Sequence, residues 1–222
     1  MTSADLFVDL ERLKDDKKAA FAEPLFHCDL KSLGVPVPTL RALAKTYHDI
    51  DPKALPLDSS FEVDFLFFQI GLGQTSTPEE ANRFLVANQA HLKTWAITDS
   101  LYQLYPLTTF FKDRKNLSVL KKQGSYLKRF CYLLFFRYLR ADPKPLKTYL
   151  SFLSDDESWE VSYALGWLLT EMAIKNYDGF LKDFDPRKYS LATRKITVSK
   201  IRDTFRLTSA QKEKAKALIL GL

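Results

Sequence analysis

Apolar residues return at intervals of three and four along most of the chain, and this single feature restricts the fold more than any other. Leu6, Leu10 and Leu13 form one such set, Leu40, Leu43 and Ala44 another. Phe130, Leu133, Leu134 and Tyr138 repeat the pattern, as do Val161, Leu165, Leu168 and Leu169. That spacing places each set on one stripe of an α-helix. Helix starts punctuate the pattern. Thr77-Pro78-Glu79-Glu80 offers a capping hydroxyl, a proline where no amide is needed and two carboxylates at the positive end of the dipole. Thr208 and Gln211 have capping-box spacing, Ser59-Ser60 precedes Glu62 and Asp64, and Asp155-Asp156-Glu157 reads as a further acidic first turn.

Ten to twelve helices follow from this reading, joined by loops at Asp51-Pro52, Gln74–Ser76, Asp142-Pro143 and Asp185-Pro186. With only 7 glycines in 222 residues, the tight turns of sandwiches and barrels have little to be built from. The predicted class is all-α, with residues 1–222 forming a single domain of stacked antiparallel helical hairpins. Hairpins that cannot bury their apolar faces alone stack into a helical-repeat solenoid, curved with a concave basic face. No strong self-identity at a fixed period accompanies this, so a plain globular bundle stays open.

Several function classes lose support. Cys28 and Cys131 have neither a C-x-x-C partner nor a nearby histidine, and they read as small buried hydrophobes. His27, His48 and His91 are scattered singly, so no metal site and no cofactor is expected. Gly71-x-Gly73-x-x-Ser76 has the outline of a phosphate loop but follows a helical pattern and lacks its lysine; it reads as a helix stop. The start of the chain has no basic and apolar leader pattern, and the longest apolar runs are too short to span a bilayer, which predicts a cytoplasmic protein with no membrane partner.

Charge is distributed unevenly. From Lys112 to Lys147 the net charge is +9, and from Arg187 to Lys216 it is +8. Against a total of +6, the rest of the chain therefore carries −11. Two basic blocks on an otherwise acidic protein suit the neutralisation of phosphates, with double-stranded DNA as the expected ligand and a monomer, nucleoid-associated when bound, as the expected state. Two aromatic positions stand out as well. Trp95 and Asp99 lie four residues apart, one turn along a single helix face, and Trp167 sits in an aromatic-rich helix predicted over Ser158–Lys175. On spacing alone, core packing and a helix cap explain these residues equally well. Residue patterns by themselves reach a basic helical-repeat protein, and a scaffold for an acidic partner remains open beside a DNA binder.

Four segments, in order, resemble the AlkD-type DNA alkylation repair proteins, a superfamily of alkylpurine DNA glycosylases made of HEAT-like repeats. They are Leu33-Gly34-Val35-Pro36-Val37-Pro38-Thr39-Leu40-Arg41-Ala42-Leu43-Ala44-Lys45, Trp95-x-x-x-Asp99, Leu127-Lys128-Arg129, and Ala164-Leu165-Gly166-Trp167-x-Leu169-x-Glu171. The resemblance implies that Asp99 is the catalytic carboxylate. It makes Trp95 and Trp167 aromatic walls of the lesion site, and Arg129, beside Lys128, a DNA-backbone contact. The implied reaction is hydrolysis of the N-glycosidic bond of cationic N3- or N7-alkylated purines. Such a base is already a good leaving group, so stabilising the positive sugar and supplying a water matters more than acid catalysis. Three positions depart from the family pattern. Ala96 stands where an acid is common, Thr98 where an apolar residue is common, and Thr170 where an arginine often follows the second tryptophan. These departures point to an alternative, a non-catalytic DNA-binding paralogue that recognises distorted or branched DNA.

Overall fold

In the computed structural model, which describes residues 2–221, thirteen α-helices and four short 3-10 turns follow one another, with no strand among the described residues. The helices are α1 (Ser3–Arg12), α2 (Asp16–Ala22), α3 (Val37–Thr46), α4 (Phe61–Gly73), α5 (Pro78–Ala87), α6 (Trp95–Leu101) and α7 (Phe110–Lys121). They continue with α8 (Ser125–Ala141), α9 (Leu146–Phe152), α10 (Trp159–Lys175), α11 (Tyr177–Asp183), α12 (Leu191–Asp203) and α13 (Ser209–Leu220). The chain forms two compact units, one ending at Leu127 and one beginning at Lys128, so the boundary falls inside α8.

Within each unit, helices pack on their sequence neighbours and on the helix after next. In the first unit α3 packs on α4, α4 on α5 and α6, and α5 on α7. In the second, α9 packs on α11, α10 on α11 and α12, and α12 on α13. Contacts between next-but-one helices are the signature of stacked helical hairpins, the organisation of a helical-repeat solenoid. Gly166 shows how close this stacking becomes. A Cβ there would lie 2.4 Å from Ile196 Cγ2, so only a residue without a side chain lets α10 and α12 approach so nearly.

The first unit is organised around α4, whose residues from Phe61 to Leu72 are all buried. A helix that is apolar all round belongs inside a core. Its two acids, Glu62 and Asp64, are fully buried as well, which cap-and-dipole reasoning does not anticipate. Glu62 accepts hydrogen bonds from Ser32 Oγ at 2.8 Å, Leu33 N at 2.8 Å, Gly34 N at 2.9 Å and Val35 N at 3.2 Å. A buried carboxylate is tolerated when its lone pairs are filled in this way. The loop that supplies these donors needs Gly34. Its φ is +78°, and a Cβ would fall 2.0 Å from the Asp15 carbonyl oxygen. The Leu33-Gly34-Val35 segment is therefore a structural seat for α4.

Most local expectations match. Thr77 and Thr208 form complete capping boxes, Ser60 caps α4, and Gly73 is the last residue of α4. Gly71 packs against the Phe84 ring, where a Cβ would be 2.2 Å away. The expectation for Asp155–Glu157 needs correction. Helix α10 starts at Trp159, and the three acids lie in the loop before it, where Asp155 accepts from Ser190 N and Asp156 from Lys128 and Ser158. Their partners are distant in sequence, so local chemistry does not reveal their role. Cys131 is buried as expected, whereas Cys28 is partly exposed.

Candidate functional site

Helix α6 carries the first candidate pair. Thr94 caps it, its Oγ1 accepting from Ala96 N at 3.4 Å, and Trp95 is its first residue. The indole Nε1 donates to the Leu25 carbonyl at 2.8 Å, a contact seventy residues back that fixes the ring edge. Asp99 follows one turn later and is half-buried. Thr98, the position that departs from the family pattern, is fully buried, donates to the Trp95 carbonyl at 2.9 Å and lies 3.4 Å from Asp99 Oδ1. Behind the helix, Gln69 Nε2 donates to Ser100 O and Oγ, both at 3.1 Å, which ties α6 to the buried α4. A seven-residue helix is marginal by itself. Here it is pinned at both ends, so Asp99 projects from a rigid support.

A charged network stands just ahead of this helix. Asp58, held at φ +65°, accepts from Lys93 Nζ at 2.8 Å and lies 2.9 Å from His91 Nδ1. Its backbone N donates to Asp64 Oδ1 at 2.7 Å, while Asp64 Oδ2 is buried without a partner. Burial pushes the Asp64 carboxyl up to about 6. For Asp58, burial acts upward too, but the bonds from Lys93 and His91 hold it below the ordinary carboxylate value. The bond to Asp58 likewise raises Lys93. No sequence spacing joins these four residues; α4 and the turn before α6 bring them together.

The largest cleft of the first unit does not contain Trp95 or Asp99. It has a volume of about 730 Å³ and lies between α3, α4 and the end of α6, with Arg41, Lys45 and His48 among its lining residues.

In the second unit Trp167 lies half-buried on α10. Two cations face its ring. The Arg129 guanidinium carbon is 5.8 Å from the ring centroid and Lys200 Nζ is 5.3 Å from it. Both distances lie within cation–π range. Arg129 is only 2% exposed and donates to the Glu160 carbonyl at 2.8 Å, and Lys128 is 8% exposed and paired with Asp156 at 2.9 Å. The two residues expected to touch a DNA backbone are thus turned into the protein, where Arg129 supports Trp167. Thr170 is also buried. Its hydroxyl lies 2.7 Å from the Gly166 carbonyl and 3.3 Å from that of Thr197, at the α10–α12 contact.

Beside Trp167 is an open cleft of about 280 Å³, lined also by Phe136, Thr170, Glu171, Lys200, Thr204 and Arg206. Glu171, the acid of the tryptophan motif, receives both terminal nitrogens of Arg206, at 2.7 and 3.1 Å. Several other members of the C-terminal basic block are engaged internally. Arg194 donates to the carbonyls of Ile219 and Leu220 at the end of α13, and Lys212 to that of Arg202. The charge count of that block therefore exceeds the charge available to a ligand.

Among the described residues no group of histidine, cysteine or acidic side chains has the arrangement of a metal site, and no helix is long and apolar enough to cross a membrane.

A helical-repeat protein with a W-x-x-x-D helix and a G-W helix braced by a basic loop defines a recognisable class. The family described as DNA alkylation repair enzyme matches residues 8–184, and the chain belongs to that family. Its role is accordingly in the repair of alkylated DNA. No curated protein matches the chain.

Proposed function

We propose that the protein is a monofunctional DNA glycosylase that hydrolyses the N-glycosidic bond of cationic N3- or N7-alkylated purines in duplex DNA. The observation that carries this reading is the construction of α6. Asp99 sits one turn from an indole whose edge is fixed by Leu25, on a helix pinned to a buried scaffold. A carboxylate held in that manner does not need to reorganise as positive charge develops on the sugar, which is the property electrostatic stabilisation of a transition state requires. It also supplies an acceptor that orients the attacking water. Trp167 offers an aromatic face for a cationic nucleotide, provided Lys200 leaves it. Lys200 is the more exposed of its two cations and lies on the side of the open cleft. Arg129, in this reading, acts by holding the Trp167 ring.

One observation favours a second reading, a DNA-binding protein without glycosylase activity. Thr170 occupies the position where an arginine is common in the family and spends its hydroxyl on helix packing, while Lys200 and Arg129 already occupy the ring's cation-binding range.

Duplex DNA carrying 7-methylguanine decides between them. The glycosylase reading expects released 7-methylguanine from the wild-type protein and at least about a hundredfold slower release from Asp99→Asn, with DNA binding retained. Binding without release by the wild type establishes the second reading.

A further inference from the structure

Phe205 is fully exposed, at 102% of the reference area, in a protein that buries nearly all its other aromatic rings. It sits at the tip of the α12–α13 connection, beyond the residues the family match covers. Large apolar rings are seldom left wholly in water without a binding role.

The tip is held firmly for a loop. On one side, Thr204 N donates to the Lys200 carbonyl at 3.2 Å, and Thr204 Oγ1 accepts from Arg206 N at 3.2 Å. On the other, Arg206 makes its two-pronged contact with Glu171, and Leu207 is buried. Both immediate neighbours of Phe205, Thr204 and Arg206, line the cleft beside Trp167. From Lys200 to Lys212 the segment carries four cations, Lys200, Arg202, Arg206 and Lys212, against the single acid Asp203.

We infer that Phe205 is a wedge that inserts into the base stack of duplex DNA where a nucleotide is damaged or missing, next to the Trp167 cleft. Apolar side chains presented from a cationic surface act in this way, filling a base step while the surrounding cations hold the phosphates. The charge around the ring selects nucleic acid over an apolar protein surface, which would have to bury those cations. Because the tip is ordered before contact, insertion costs little additional conformational entropy. A damaged or absent base is the place where the stack is cheapest to open.

This inference rests on the DNA reading above but not on glycosylase activity. The test uses duplex DNA with a tetrahydrofuran abasic-site analogue flanked by 2-aminopurine. Fluorescence anisotropy reports binding and 2-aminopurine emission reports loss of base stacking. The wild-type protein is expected to raise the emission on binding. Phe205→Ala is expected to bind about tenfold more weakly and, at saturation, to leave the emission at the level of free DNA. An equal rise with both proteins, or wild-type binding with no rise, overturns the wedge. Absence of any binding by the wild type overturns the DNA reading together with it. Binding with a Phe205-dependent rise but no release of 7-methylguanine supports the wedge and refutes the glycosylase.

Discussion

Asp64 provides a quantitative test of the first unit's buried polar network. Its carboxyl is raised from 3.8 to about 6, primarily by burial, and its second oxygen has no partner. The folded state therefore holds the neutral acid better than the ionised one. A raised folded-state value means that the group's stability contribution is complete below about pH 4 and is lost as pH rises towards 6. Each pH unit of separation is worth about 1.4 kcal/mol, so the full difference is about 3 kcal/mol, of which about 2 kcal/mol is lost between pH 4.5 and 7.5. Asp64→Asn removes the titration and keeps an acceptor for Asp58 N. Urea unfolding followed by circular dichroism, at half-unit steps across that range, gives the stability of both proteins. The difference between them cancels the titration of every other group, Asp58 included, to the extent that those groups are unaffected. It should move by about 2 kcal/mol in favour of the variant as pH rises. A difference constant to within about 0.5 kcal/mol would show that Asp64 does not pay an ionisation penalty in the folded protein.

Two other substitutions separate structural from functional roles. Gly34→Ala places a Cβ against the Asp15 and Ala19 backbone at a positive φ, so it is expected to lower stability by about 3 kcal/mol or more, read as a reduced urea midpoint. Trp95→Phe loses the bond to the Leu25 carbonyl, which water can replace at this exposed site, so its stability should fall by no more than about 1 kcal/mol; under the proposed function, excision of 7-methylguanine falls much further.

The sequence and the structure agree where the chemistry is local. A capping box needs only residues three apart, so Thr77–Glu80 and Thr208–Gln211 are readable in one dimension, and so is the placing of Trp95 and Asp99 one turn apart on α6. What stays hidden depends on residues far apart in the chain. Arg129 reads as a free cation until α10 presents the Glu160 carbonyl and Trp167 to it. Asp58, Asp64, His91 and Lys93 share no spacing rule, yet they form one network. The capacity of Glu62 to accept from a loop nearly thirty residues earlier is equally invisible in a helix that reads as an acidic first turn followed by an apolar run. Phe205 had a different difficulty: the period of three and four gives a lone aromatic in a loop no partner and therefore no meaning.

The contact between Glu62 and the loop at 32–35 also changes what a loop is in this protein. Its amides have no helix or strand to protect them, but releasing them would leave a bare carboxylate inside an apolar helix. The loop and α4 must therefore open together. In hydrogen exchange the amides of Leu33, Gly34 and Val35 belong with the slow core of the first unit, and that irregular segment moves on the timescale of the unit's unfolding.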